Sequence, residues 1–407
     1  MHEDSLTPAA RLARQGNADV LALALQASRR DTLATFALYE QALPGLAVPR
    51  RGELNPPLWE LGHIGWFQEY WLSRYPCRGD GAAADPDAPR ARPLRPDADA
   101  LYNSSLVPHD TRWSLPLPDA QATRDDLARQ LESTLALLSD VDGGDDDSLY
   151  FYRLALLHED MHHEAALYMA QALGIAVDDA RWQAAALPAP PPPIRLPAGP
   201  WRLGSEAPRG FAFDNELAAH ALDLPAGTID AQAVRWAEYL PFVEAGGYGD
   251  ARWWDDAGQR WLAAHLPTAP RYLRHEAGTW QHRRHGRWQA LDLAEAACHL
   301  TQHEALAWCR WAGRRLPGEA EWERAALTRP ESFRWGDVWE WTASPFQPFP
   351  GFAAHPYRDY SAPWFDGRPV LRGASFMTQP RLRHPRYRNY FPAFRNDVPA
   401  GFRTCAP

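Results

Sequence analysis

Three histidines carry the clearest chemical pattern in this sequence of 407 residues. His158 and His162 are four residues apart in a segment with helical hydrophobic spacing, so their imidazoles stack about 6 Å apart on one face. Two imidazoles in this arrangement can bind one metal ion, and His63, in the middle of another helical segment, is the candidate third ligand. Three neutral imidazoles leave open coordination positions, which suits oxygen-activating iron or catalytic zinc.

Each of these residues also has an ordinary structural interpretation. A histidine within a helix is commonly a hydrogen-bonded core residue, and 15 histidines make chance pairs common. His163 is turned about 100° from His162 around the helix and is predicted to face solvent. Glu164 is either a partner that orients a ligand imidazole or a surface charge. The spacing alone does not decide between iron and zinc.

Four segments with helical periodicity must position these histidines. They span residues 18–41, 58–71, 123–138 and 149–173, and the last ends before Gly174, a typical C-terminal cap. Four helices joined by loops predict an up-down bundle. Residues 77–118, between the second and third helices, are too long for a simple connection, so they are either mobile or part of a site.

The composition changes after the fourth helix. Residues 187–194 are mostly proline and predict an extended spacer. We therefore expect a helical domain over residues 1–185, a Pro-rich linker over 186–196 and a second domain over 197–407. Short aromatic runs between Gly and Pro, with helices only at 232–245 and 300–312, predict an irregular α+β domain, so the predicted fold class is α+β with two domains.

Composition excludes several classes of function. All 42 basic residues are arginine, which excludes a Schiff-base lysine, a pyridoxal-phosphate anchor and a Walker-type lysine. A net charge of −9 disfavours nucleic acid as a partner. The sequence shows no signal-peptide pattern and no apolar run of membrane-spanning length, so we expect a soluble, cytoplasmic protein without a membrane partner.

Several motifs in the same order resemble one enzyme family. Residues 58–67 (LWELGHIGWF), taken with His158, His162 and Glu164, resemble the DinB-like iron-binding four-helix bundle of the ergothioneine sulfoxide synthases. The second half is similar to their partner domain, which has the formylglycine-generating-enzyme fold, a C-type-lectin-like fold. Its matching motifs are at residues 315–323, 336–342, 370–375 and 400–403.

The resemblance implies a specific chemistry. A non-haem Fe(II) ion, held here by His63, His158 and His162, would activate O2 and join a sulfur donor to C2 of the imidazole of hercynine, the Nα-trimethylated histidine. A tyrosine of the second domain would donate a proton or an electron near the metal, and its position before Ser-x-Pro assigns that role to Tyr360. The alternative for Tyr360 is a packed surface residue.

The trimethylammonium group of such a substrate has no N–H to donate and needs an aromatic or acidic wall. Residues 387–397 supply aromatic rings, amides and a carboxylate within a short stretch. We predict a substrate wall made of Asn389, Tyr390, Phe391, Asn396 and Asp397.

Two departures from the family pattern concern the second substrate. Relatives that use γ-glutamylcysteine bind its carboxylates with paired arginines after the second helix, whereas residues 101–113 here offer only Arg112, beside hydroxyls and amides. Such a site suits a hydroxyl-bearing ligand such as a sugar. Met161 also stands where those relatives often carry glutamine. Both features resemble the selenoneine synthase branch, whose donor is a selenosugar.

Three further functions remain open. The first keeps the chemistry and uses cysteine or γ-glutamylcysteine as the donor, giving a sulfoxide. The second is a non-catalytic, metal-free binding module in which the bundle histidines are structural. The third is a zinc-dependent thiol transfer.

Overall fold

The structure is a computed structural model that describes residues 7–141, 145–206 and 209–407. Residues 1–6, with which the predicted first domain begins, lie outside the described residues. Helices dominate the first half and a mixture of short strands and helices forms the second. The predicted two-part α+β fold class is therefore confirmed.

Four long helices of the first half match the predicted segments to within a few residues. The helices of this half are α1 Pro8–Gln15, α2 Ala18–Ala42, α3 Pro57–Trp71, α4 Ala98–Tyr102, α5 Ala120–Ser139 and α6 Asp146–Leu173. The side chains of Asn17, Asp119 and Asp145 accept backbone N–H bonds at the starts of α2, α5 and α6. Gly174, at φ +78°, ends α6 in the left-handed conformation that glycine adopts without strain.

Residues 77–118 pack against the bundle. Trp59 of α3 donates its indole N–H to the carbonyl of Leu101 over 2.8 Å, and Arg74 binds the carboxylate of Asp99 through two bonds of 2.7 Å. These contacts hold α4 beside the middle of α3, next to His63. Of the two roles predicted for this segment, the structure therefore supports a part in the site.

The second half is built around a four-stranded sheet. Its strands are β1 Ile194–Leu196, β2 Gly199–Leu203, β3 His220–Leu224, β4 Gly227–Ile229, β5 Leu273–Glu276, β6 Thr279–Arg284, β7 Arg287–Ala290, β8 Trp339–Pro345, β9 Pro369–Gly373, β10 Asn389–Tyr390 and β11 Ala400–Gly401. The main sheet has the order β10-β9-β8-β11, with β11 parallel to β8 and the other pairs antiparallel. The remaining strands form the pairs β1-β4 and β2-β3 and the meander β5-β6-β7.

The prediction of only two helices in this half was wrong. The structure has α7 Trp236–Glu244, α8 Asp256–His265, α9 Gln302–Trp311 and α10 Glu319–Thr328. Helix α8 buries only Gly258 and Trp261, so its sequence lacks the apolar stripe that reveals a helix. Helix α10 begins after Gly318 with Glu321 bonded back to the Gly318 N–H, a start signal that the sequence reasoning overlooked.

The two halves share one apolar core. The largest cluster of buried side chains includes Trp59 and Phe151 from the bundle together with Trp339 and Leu371 from the main sheet. Buried polar contacts join the halves as well, because Arg381 binds Asp160 of α6 over 2.8 and 2.9 Å. In the described part of the chain, no helix has both the length and the apolar character to cross a membrane.

Candidate metal centre

Three histidine side chains converge between α3 and α6. His63 projects from α3, and His158 and His162 project one turn apart from α6. The ring centroids are 4.4 to 5.2 Å apart, and one nitrogen from each ring lies within 4.8 Å of the others. The structure thus brings together the three residues that the sequence singled out, and in the described residues this is the one cluster of three or more such groups.

Hydrogen bonds orient two of the three rings. His63 Nδ1 donates to the carbonyl of Tyr102 over 2.8 Å, and His162 Nδ1 bonds the carboxylate of Glu60 over 2.6 Å. Both bonds place the proton on Nδ1 and leave the Nε2 lone pair available, which is the arrangement that metal-binding histidines commonly show. His158 Nδ1 is buried without a hydrogen-bond partner. An unpaired nitrogen of this kind fits a site that receives a metal ion.

Burial keeps two of these rings neutral, those of His63 and His158. Burial, with a contribution from His162, lowers the pKa of His63 to about 3. Burial also lowers the pKa of His158 well below its usual value, and the other two histidines add to this effect. Neutral imidazoles are the form that binds a metal, so His63 and His158 do not need to lose protons on binding.

Glu60 connects the cluster to the segment that precedes α3. Burial raises the pKa of Glu60, but the nearby His162, His63 and Arg112 outweigh it and the pKa is lowered overall. Asn55 donates to the other oxygen of Glu60 over 2.5 Å and accepts a bond of 2.9 Å from Arg112. The guanidinium of Arg112 lies 3.7 Å from the centre of the Trp59 ring. Arg112, predicted to bind substrate, thus lies behind Glu60 at the edge of the centre.

His163 was wrongly predicted to face solvent. Its side chain is only 1% exposed, and its ring lies 3.0 Å from the hydroxyl of Thr35 and 3.3 Å from the amide of Gln379. The prediction failed because α6 is covered by α2 and by the second half, so a residue turned away from the histidine cluster still meets protein.

A cavity of about 220 Å³ lies between the two halves and is bordered by His162. Its lining residues are Met161, His162, Glu164, Ala165, Tyr168, Trp339, Leu382, Tyr387, Asn389, Phe391, Val398 and Pro399. Four aromatic rings and one carboxylate are thus presented next to the histidine cluster.

Only part of the predicted substrate wall lines this cavity. Asn389 and Phe391 do so. Tyr390 instead stacks on Phe346 with a ring separation of 4.0 Å. Asp397 is buried in an ion pair with Arg395 at 2.6 Å, and Asn396 accepts a bond of 3.1 Å from Arg271. These three predicted wall residues do not line the cavity.

Glu164 has neither of the positions that the sequence suggested. It is 6% exposed, and its Oε1 accepts bonds of 2.7 to 2.8 Å from the side chains of Trp339, Ser375 and Thr378. Burial raises the pKa of Glu164 in spite of these three donors. The carboxylate therefore fastens α6 to the second half and borders the cavity.

Two tyrosines approach the cluster from the second half. The Tyr360 hydroxyl donates to Tyr387 over 3.1 Å, and the Tyr387 hydroxyl lies 3.2 Å from the sulfur of Met161. The Tyr357 ring lies 4.9 Å from Phe67 and 6.3 Å from His158, measured between centroids. In the described residues Tyr360 makes no comparable ring contact with a histidine, so Tyr357 is the nearer of the two.

Sequence reasoning missed Glu60, the Tyr102 carbonyl and Tyr357. Glu60 and His63 are three residues apart and share one face of α3, which was a readable signal. The Tyr102 carbonyl gave no signal, because any residue has a carbonyl and only the path of the chain places it. Tyr357 lies three residues before Tyr360, and only the structure shows that its ring lies nearer to His158.

Comparisons with known proteins extend this description. A family profile described as "Sulfatase-modifying factor enzyme 1-like domain" matches residues 182–337. The chain is 32% identical to a formylglycine-generating enzyme of Streptomyces coelicolor over 35% of this chain and 50% of that protein.

Two relatives match far more of the chain. A hercynine oxygenase of Mycolicibacterium smegmatis is 31% identical, over 96% of this chain and 99% of its own length. A hercynine oxygenase of Mycobacterium tuberculosis is 30% identical, over 86% of this chain and 90% of its own. Matched at this level over both halves, the chain belongs to the hercynine oxygenase family.

Proposed function

We propose that this protein is an Fe(II)- and O2-dependent selenoneine synthase, which forms a C–Se bond at C2 of the hercynine imidazole with a selenosugar donor. The observation that carries the proposal is the position of the three-histidine cluster at the edge of an interdomain cavity of about 220 Å³. The names of the relatives support hercynine as the first substrate. The hydroxyls and amides of residues 101–113 support a selenosugar as the second substrate.

The reaction balances with O2 as the only oxidant. The C2–H bond of hercynine and the Se–H bond of the donor break, and a C–Se bond forms. One oxygen atom leaves as water and the other remains on selenium, so the two substrates supply the four electrons that reduce O2. A later reduction and cleavage of the oxidised selenium product would release selenoneine.

His63, His158 and His162 would hold the iron. When bound, Fe(II) supplies the binding and activation of O2 beside the substrate. The protein holds the ligand rings in place, because the Tyr102 carbonyl and the Glu60 carboxylate restrain His63 and His162 through their Nδ1 protons.

The cavity would bind hercynine. The rings of Tyr168, Trp339, Tyr387 and Phe391 can face a trimethylammonium group, which is attracted to the faces of aromatic rings. Asn389 offers an amide within the same lining, whereas Tyr390, Asn396 and Asp397 lie outside it. Binding in this position would bring the imidazole of the substrate next to His162.

A tyrosine would manage a proton or an electron near the metal. Tyr360 remains the proposal from the sequence, and its hydroxyl chain through Tyr387 ends at Met161, the residue before His162. Tyr357 is the second candidate because its ring reaches Phe67 and His158. Separate Tyr360→Phe and Tyr357→Phe variants distinguish them: loss of turnover with unchanged iron content identifies the residue that takes part.

Parallel assays test the choice of donor. Purified Fe(II) protein is incubated with hercynine and O2, together with a selenosugar, cysteine or γ-glutamylcysteine, and the products are identified by mass spectrometry. A selenium-containing hercynine adduct formed faster than either thiol product supports the proposal. A sulfoxide from a thiol donor without any selenium product would instead establish the ergothioneine-type reaction.

Zinc-dependent thiol transfer and metal-free binding predict different results in the same preparation. A zinc-dependent transfer would continue without O2, whereas the proposed reaction stops. A metal-free binding module would contain no stoichiometric iron and would give no product with any donor.

A further inference from the structure

Residues 355–361, called here the tyrosine segment, place Tyr357 and Tyr360 beside the histidine cluster. This segment is a short turn between exposed neighbours, and it includes no regular strand or long helix that could hold it. Its position against Phe67 and His158 must therefore come from contacts with other parts of the chain.

Asp214 makes contacts with both ends of the tyrosine segment. Its Oδ1 accepts a hydrogen bond from the Ser361 hydroxyl, and its Oδ2 accepts a bond of 3.4 Å from the backbone N–H of His355. Phe213, the preceding residue, stacks on the Tyr360 ring at 4.3 Å. We propose that Asp214 is a positioning residue that holds the tyrosine segment in place beside the histidine cluster.

The surroundings explain why a carboxylate is needed there. Asp214 is 2% exposed and forms no ion pair in the described part of the chain, so its acceptor capacity is committed to hydrogen bonds. Asn215 already donates to the Ser361 oxygen over 3.0 Å, which leaves the Ser361 proton for Asp214. Burial raises the pKa of Asp214 to about 6, although its hydrogen bonds oppose this rise. Above that pH both oxygens can accept.

An amide cannot replace this carboxylate. In an Asp214→Asn variant, one position holds an NH2 group, so either the His355 N–H or the Ser361 hydroxyl proton loses its acceptor. Neither Asp214 nor the tyrosine segment lines the cavity proposed to bind hercynine. The inference rests on the proposed function, and it predicts a slower chemical step with little change in substrate binding.

The test compares Asp214→Asn and Ser361→Ala with the wild type at pH 8, using iron-loaded full-length protein. We expect kcat to fall roughly tenfold or more in both variants, because small displacements of groups near the reacting atoms are costly. The KM for hercynine is expected to stay within about threefold. Hydrogen–deuterium exchange of residues 352–364 is expected to be faster in both variants.

The control is Glu304→Gln. Glu304 is a buried carboxylate like Asp214, it lies far from Asp214 in the sequence, and it accepts a bond from the Tyr248 hydroxyl. Its kcat is expected to stay within about twofold of the wild type. A fall in kcat as large as that of Asp214→Asn would show a general effect of instability and overturn the proposal. Unchanged exchange in the tyrosine segment, or unchanged kcat in both variants, would overturn it as well. If the wild type makes no product with any donor, the proposed function fails, and the exchange measurement alone decides the role of Asp214.

Discussion

The histidine cluster and the opposite wall of the cavity are built in different ways. The cluster comes from two helices, and helix geometry alone brings His158 and His162 onto one face. The wall comes from Trp339, Tyr387 and Phe391, which lie on separate loops and strands. Trp339 is joined to α6 through Glu164, and Tyr387 through Met161. Local structure can thus arrange groups able to bind a metal, whereas the arrangement of the groups that line the other side of the cavity depends on long-range packing.

The largest effect is expected when one histidine of the cluster is removed. In His158→Ala, iron content and turnover should both fall to background, because two imidazoles remain and the buried pocket has lost a ligand. The matched control is His163→Ala, which changes a buried histidine on the same helix that faces Thr35. Metal analysis and product formation should separate the two variants. Equal iron content in both would contradict the assignment of His158.

A smaller effect is expected when only the orientation of a ligand is altered. Glu60→Gln keeps the shape of the side chain but removes the charge that faces His162 Nδ1. We expect the affinity for Fe(II) to fall about 10- to 100-fold, as is typical when the partner of a metal-binding histidine is changed. Anaerobic competition with a chelator measures it. Glu53→Gln, at a carboxylate that pairs with Arg271, should leave the affinity unchanged.

The long-range contacts between α6 and the second half of the chain are tested at Glu164. In Glu164→Ala, the side chains of Trp339, Ser375 and Thr378 lose their shared acceptor in a buried position. Buried donors without partners cost about 1–3 kcal/mol each, so the free energy of unfolding should fall by about 4 kcal/mol. Urea denaturation of the metal-free protein measures this change. A loss below about 1 kcal/mol would show that Glu164 does not join the halves.

The smallest effect concerns pH and a carboxylate that does not line the cavity, Glu304. Burial raises the pKa of Glu304 to about 7, although bonds from Tyr248 and Thr301 oppose the rise. Because the folded pKa exceeds the unfolded one, the contribution of Glu304 to stability is fully present below about pH 4.5 and is lost as the pH rises through 7. The wild type should thus lose about 3 kcal/mol relative to Glu304→Gln across this range. The free energy of unfolding of both proteins is measured across this pH range. A difference between them that does not change with pH would contradict the prediction.

The same contrast explains what the sequence could predict. The helices of the bundle could be predicted because hydrophobic periodicity and the C-terminal cap Gly174 are local signals. His63, His158 and His162 could be selected for the same reason. The outward turn assigned to His163 was wrong because an isolated helix does not reveal which of its faces the rest of the chain covers.

The strands and site residues of the second half were harder to predict from the sequence. Its sheet order places β11 beside β8, and its short strands leave little periodicity to read. The predicted wall included Tyr390, Asn396 and Asp397 because they are close in sequence to Asn389 and Phe391. The structure turns Tyr390 toward Phe346, which only long-range packing could decide, and it pairs Asp397 with Arg395, two residues earlier in the chain.

The most direct test of the central claim is a crystal structure of the anaerobic Fe(II)-loaded protein with anomalous diffraction measured at the iron edge. One strong peak per chain is expected, enclosed by the rings of His63, His158 and His162 and open toward the cavity at His162. A peak elsewhere, or none among these rings in protein that contains stoichiometric iron, would contradict it.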